Sequence, residues 1–219
     1  MIRPLQNVKI LPPPCGKQMS FVIGTGRCGF KSMTALLSRF QPKAIADYEF
    51  RRIAWDDPTE GGLYHTFVRI YGLMALYKDV EVVVSIAHYF LPYVNSILEM
   101  YPDAKFVCLK RNKEDTIPSL VKQAKTRNFW TRTDSKHWLP TDTRGKFYKT
   151  FPSFDAPREA AAGMYYDYYY DLAATIGWTH PDNFLLVNME DVFNDKQTQW
   201  DTLRFLGIEH PKVKLGIRK

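Results

Sequence analysis

Cysteine is scarce in this 219-residue sequence, with Cys15, Cys28 and Cys108 the complete set. An odd number without metal-like clustering excludes a disulfide framework and a thiolate zinc site, and the expected compartment is the reducing cytoplasm. Long hydrophobic runs are missing too. No stretch reaches the roughly 18 apolar residues of a membrane span, and the opening MIRPLQNVKILPPPCGKQMS holds three consecutive prolines but no signal-peptide core. Basic runs of five or more are likewise absent, although Lys and Arg outnumber Asp and Glu by 30 to 23. The excess favours an anionic partner, while its dispersal argues against a nucleic-acid-binding tail. No internal repeat is visible.

What is present is ordinary globular composition, 45% hydrophobic and 24% charged, in a length that suits one α/β domain. Residues 1–18 read as an irregular lead. Phe21–Ile23, Val80–Ala87, Ala104–Leu109 and Asn183–Asn188 read as buried strands, because short β-branched or apolar runs without polar alternation suit a sheet covered on both faces. Helical patterns follow at Lys31–Phe40, Leu91–Met100, Glu114–Lys125, Arg158–Thr175 and Gln197–Leu206, the last ending near Gly207. Residues 126–157, rich in Trp, Thr, Asp, Lys and Pro without periodicity, are expected to form a lid or acceptor loop. Strands alternating with helices predict a parallel sheet with ligands at its carboxyl ends.

Two positions at such ends carry chemistry. The first is Gly24-Thr25-Gly26-Arg27-Cys28-Gly29-Phe30-Lys31-Ser32, where glycines allow positive φ and successive N–H groups can converge on an anion at a helix start. A ligand-free βα turn is the competing reading. A Walker A loop would place Lys directly after the second glycine, but Phe30 intervenes. The letters of a dinucleotide fingerprint are also matched, with Asp47 and Glu49 as the acidic residues that could follow it. The second position is Lys110-Arg111, followed by a helix bearing Ser119. A guanidinium at a strand end and a hydroxyl on the next helix can share one phosphate, although a lone arginine is more often a surface cation.

These segments carry a family resemblance. FVIGTGRCGFKSMTALL resembles the 5′-phosphosulfate-binding loop of sulfotransferases, KFVCLKRNKEDTIPSL their 3′-phosphate motif, and FLLVNMEDVFNDKQTQWDTLRFLGI the strand, Glu-Asp, helix and Phe-Leu-Gly segment that comes later in the family. The three blocks stand in family order and span a quarter of the chain. Phe30 departs from the family's usual Thr, Ser32 stands where some members stack a Trp on adenine, and KLGIRK lacks the usual glycine-rich loop ending in Trp-Lys. The resemblance implies a three-layer α/β sandwich with a central parallel sheet, P-loop nucleoside-triphosphate-hydrolase-like. It also implies sulfuryl transfer from 3′-phosphoadenosine 5′-phosphosulfate (PAPS) to a hydroxyl or amine, without a metal.

By the same resemblance, Thr25, Gly26, Arg27, Cys28, Gly29, Phe30, Lys31 and Ser32 hold the 5′-phosphosulfate, Arg111 and Ser119 hold the 3′-phosphate, and Arg27 is the catalytic cation. Two residues compete as the base that takes the acceptor's proton. His88 ends the second apolar strand where small-molecule sulfotransferases carry a histidine, and Glu49 stands close to a glutamate position of tyrosylprotein and some carbohydrate members. Each has a structural alternative, a core histidine or an ion pair with Arg51 or Arg52.

Other features admit two readings. Cys28, beside two cations at a helix start, could be a nucleophile or a small residue the loop needs. Tyr165, Tyr166, Tyr168, Tyr169 and Tyr170 could wall an acceptor site or pack on the sheet, and Glu190-Asp191 could hold a metal or cap a helix. The acceptor, whether small molecule, carbohydrate or peptide, is not encoded in any motif, and neither is the oligomeric state. A P-loop kinase using ATP and magnesium, or a non-catalytic nucleotide-binding module, are the rival functions.

Overall fold

The computed structural model describes residues 17–48, 53, 55, 60–127, 151–152, 154 and 156–209. Five parallel strands form its sheet: β1 (Gln18–Ile23), β2 (Ala44–Tyr48), β3 (Val82–Ile86), β4 (Lys105–Lys110) and β5 (Phe184–Asn188). Their spatial order is β2-β3-β1-β4-β5. The helices are α1 (Phe30–Leu37), α2 (Glu60–Leu76), α3 (Val94–Met100), α4 (Lys113–Arg127), α5 (Arg158–Thr179), α6 (Met189–Asn194) and α7 (Lys196–Phe205). Short 3-10 turns occupy Ser38–Phe40 and His88–Tyr93.

Alternation along β1 sorts the protein into three layers. Met19, Phe21 and Ile23 point to a core shared with α2, α3, α4 and α5, whereas Val22 joins the opposite core of α1, α6 and α7. Because both faces are covered, the inner strands are buried along most of their length and mostly apolar, and this continuity makes them readable from sequence. The expected fold class is the one observed, a three-layer α/β sandwich of P-loop type.

Sequence patterning did not identify β2 or α2. β2 lies at the sheet edge with only Ala44 and Asp47 buried, so its five residues carry no apolar run. α2 includes Gly61, Gly62 and Gly72 among aromatic and β-branched residues, a composition of weak helix propensity that packing overrides. Asp47 is held there by Arg69 of α2, whose Nε lies 2.9 and 3.1 Å from the two carboxylate oxygens.

Helix ends are set by local chemistry. Asn112 accepts from the Asp115 N–H at 2.8 Å, which starts α4 directly after Arg111. After α7, Gly207 at φ 85° gives its N–H to Arg204 and Ile208 gives its own to Leu203, so the chain turns back with Ile208 in the core. Among the described residues, no helix is long and apolar enough to cross a membrane.

In strand order β2-β3-β1-β4-β5, the chain leaves β1 toward β2 on one side, while β4 leads to β5 on the other. The crevice for a ligand in such a sheet opens between these two departures, above the carboxyl ends of β1 and β4.

Phe21 is central to the larger core, stacked on Phe106 at 4.7 Å and edge-on to Phe90 at 5.1 Å. Phe21→Ala is expected to lose about 3–5 kcal/mol of stability, read as a lower urea midpoint with unchanged slope.

Candidate active site

The segment joining β1 to α1 turns through Gly24 (φ 156°), Gly26 (82°), Arg27 (58°) and Gly29 (95°). Space as well as φ demands glycine at position 24, where a Cβ would stand 2.4 Å from Cys28 Sγ and 2.7 Å from the Leu109 carbonyl. Gly29 in left-handed conformation begins α1, which directs the helix's first-turn N–H groups to the crevice. The Phe30 ring is buried in the core shared with α1 and α7, while Lys31 is exposed and Ser32 half-buried.

Arg27 is exposed, and its Nε donates to Ser119 Oγ at 2.8 Å. Arg111 donates through Nη1 to the Arg27 carbonyl at 3.3 Å and pairs through Nη2 with Asp115 at 3.3 Å. Its Nε is buried and has no hydrogen-bond partner among the described residues; the Glu190 carboxylate stands 3.9 Å away. Three residues distant in sequence therefore converge where β1 and β4 end. Glu190 and Asp191 lie in the first turn of α6, and Asn188 Nδ2 donates to Asp191 at 3.1 Å, so this pair serves a helix start and an ion pair with Arg111.

Behind the loop stands α5. Tyr169 Oη accepts from the Gly24 N–H at 2.9 Å and donates to the His88 carbonyl at 3.0 Å. Tyr165 donates to the Thr25 carbonyl at 3.2 Å, Tyr170 to that of Leu109 at 2.8 Å, and Tyr166 to that of Arg111 at 2.6 Å. Thr25 is buried and its hydroxyl turns inward, donating to the Gly26 carbonyl and lying 3.3 Å from Tyr170 Oη. Burial raises the pKa of Tyr165, Tyr169 and Tyr170 well above the ordinary phenol value, so the three remain neutral hydroxyls. Core packing of the tyrosines is the reading these contacts support, except for Tyr168, which is 46% exposed. Their hydroxyls, however, also hold the site's backbone, a role that sequence patterning did not anticipate. The available signal was the spacing 165, 166, 169, 170, which puts four phenols on one helical stripe where each buried hydroxyl needs a partner.

His88 opens the turn after β3 and is 5% exposed, with its ring stacked on Phe151 at 4.1 Å and an interplanar angle of 9°. It lies under an aromatic cover. Glu49, the competing candidate, lies outside the described residues, as do most residues of the 126–157 segment.

The loop after β1 thus gathers two arginines and a serine at the carboxyl ends of β1 and β4. The sulfotransferase domain model matches residues 21–215, and the chain belongs to that family; it is an enzyme that transfers sulfuryl groups. Among solved structures, a sulfotransferase from Alicyclobacillus acidocaldarius superposes with a TM-score of 0.53 at 20% identity, over 90% of this chain and 83% of that one. Mouse sulfotransferase SULT7A1, complexed with PAP, superposes with a TM-score of 0.50 at 12% identity, over 92% of this chain. This chain spans 62% of the mouse chain, and at such identities the likeness concerns the fold. No curated protein matches the sequence. Family membership decides against the kinase and the non-catalytic module.

The same geometry argues against Cys28 as a nucleophile. The residue is wholly buried, and burial pushes its thiol up to about 12. The thiol therefore stays protonated at neutral pH. Iodoacetamide at pH 8 is expected to leave Cys28 and Cys108 unmodified in the folded protein and to label both in guanidinium, as read by peptide mass spectrometry. Rapid labelling of Cys28 in the native state would restore the nucleophile reading.

Proposed function

We propose that the enzyme takes its sulfuryl group from PAPS and delivers it to a hydroxyl or amine of a small-molecule, carbohydrate or peptide acceptor. The observation that carries this reading is Arg111, whose buried Nε has no hydrogen-bond partner among the described residues although the side chain lies between two carboxylates. An unmade bond on a buried N–H is costly, and a phosphate oxygen would satisfy it with a charge-assisted one. Ser119, already bonded to Arg27, would add a hydroxyl to the same phosphate, the one on the 3′ side of the donor.

The 5′-phosphosulfate would then lie along the backbone N–H groups of Gly26, Cys28, Gly29 and Phe30, with Lys31 and Ser32 at the start of α1. Thr25 contributes backbone, since its hydroxyl is engaged within the fold. The bound donor supplies an activated sulfuryl group. The chain's part is to hold the oxygens on either side of it. Arg27 uses Nε on Ser119, so its terminal N–H groups are the ones available to neutralise charge gathering on the departing phosphate oxygen. Proton removal from the acceptor falls to His88 or Glu49. His88 has the aromatic cover of Phe151, which keeps water from a base at that position.

The test is calorimetry with adenosine 3′,5′-bisphosphate beside adenosine 5′-monophosphate and ATP with magnesium. The bisphosphate is expected to bind tightly and the monophosphate weakly. Arg111→Ala should weaken the bisphosphate by roughly 10- to 100-fold and Ser119→Ala by about 3- to 10-fold, as loss of charged and neutral hydrogen bonds implies. Binding of ATP with magnesium alone would overturn the assignment of the donor.

A further inference from the structure

The four buried tyrosines of α5 contact the carbonyls or N–H groups of three different strand exits. Tyr165 and Tyr169 reach the loop after β1, Tyr169 also reaches the turn after β3, and Tyr166 and Tyr170 reach the end of β4. Tyr169 bonds the backbone of two exits at once. Its hydroxyl has one proton to give and gives it to the His88 carbonyl at 3.0 Å, while it receives the Gly24 N–H at 2.9 Å.

We propose that Tyr169 is a positioning residue for sulfuryl transfer, its one hydroxyl holding the phosphate loop in register with the His88 turn. This inference rests on the reading that the loop receives the donor and that His88 faces the acceptor.

Three observations support it. Gly24 is the first residue of the loop, at a point where an added Cβ would stand 2.4 Å from Cys28 Sγ and 2.7 Å from the Leu109 carbonyl, so the Tyr169 hydroxyl meets the loop where its backbone passes closest to its neighbours. His88 is the first residue of the turn after β3, so a bond to its carbonyl sets where the imidazole begins. The Tyr169 ring is itself immobilised, packed on Trp55 at 5.8 Å, Tyr165 at 5.7 Å and Tyr170 at 5.5 Å, with no exposure to solvent. Two exits of a sheet are thus joined through a hydroxyl that cannot rotate away. Reacting groups tolerate little misplacement, and an error of about 1 Å can reduce the rate about 100-fold.

The helix carries this arrangement as a unit. Lys113 at the start of α4 bonds both Asp167 oxygens at 2.6 Å, fastening α5 to the helix that bears Ser119. The residues that read the 3′ side and those that hold the 5′ side therefore share one support.

The experiment uses the full chain and requires no acceptor. The His88 ring resonance is followed by NMR while adenosine 3′,5′-bisphosphate is added to wild type, Tyr169→Phe and, as a same-helix control, the solvent-facing Tyr168→Phe. In wild type and Tyr168→Phe the His88 signal is expected to shift as the loop fills. In Tyr169→Phe the bisphosphate should bind about tenfold more weakly, because the Gly24 N–H has lost its acceptor, and the His88 shift should be absent even at saturation. A role confined to stability would lower the melting temperature of Tyr169→Phe but leave the shift intact, and that result would overturn the inference. Should Tyr169→Phe fail to fold, the wild type still decides, since an unmoved His88 signal in the saturated protein is incompatible with the link. Absence of bisphosphate binding to wild type would instead defeat the donor reading, and this inference with it.

Discussion

The direction in which the chain leaves β1 governs the rest of the site. Between Ile23 and Phe30 the backbone enters positive φ four times, and one of those residues is Arg27, for which the left-handed region is unfavourable by roughly 1–2 kcal/mol. The strain is offset locally. Arg111 binds the Arg27 carbonyl, Ser119 binds its guanidinium, and tyrosine hydroxyls meet the Gly24 N–H and the Thr25 carbonyl. Without those reversals α1 would not point its N-terminus at the crevice, and Arg27 would not meet a serine 92 residues away.

Electrostatics and packing are joined at the same place. Arg111 is neither free nor fully neutralised, since Asp115 and Glu190 flank it while one N–H goes unmatched among the described residues. Under the proposed function, the flanking carboxylates would limit how strongly the arginine attracts any passing anion and favour a ligand whose oxygens can make the missing bond. The modest positive excess of the whole chain contributes little to this discrimination, which depends on hydrogen-bond geometry at short range.

How much of this was legible in the sequence depended on the type of signal. Inner strands covered on both faces announce themselves as apolar runs, so β1, β3, β4 and β5 were read within a few residues, while the edge strand β2 and the glycine-bearing α2 were not. The glycine loop after β1 and the placing of Arg111 and Ser119 after β4 were visible because each lies within one short segment. The meeting of Arg27 with Ser119 needs the order of β1 and β4 in the sheet, which no local pattern contains. The tyrosine hydroxyls were missed for a related reason. A helical stripe of phenols predicts burial, but the backbone groups their oxygens meet are set by tertiary structure. His88 was correctly put at a strand end, yet its stack with Phe151 joins residues 63 positions apart and had no sequence signature.

Phe30 replaces the small polar residue usual in the family and sends its ring into the core with Met33, Leu36 and Val192. The mouth of the loop is thereby anchored by apolar burial behind it, and the disorder it must give up is surrendered when the protein folds rather than when an anion arrives. Under the proposed function, affinity at this loop would inherit the stability of the α1 face: loosening that core would make the loop more mobile and weaken anion capture at a distance, with every charged group still in place.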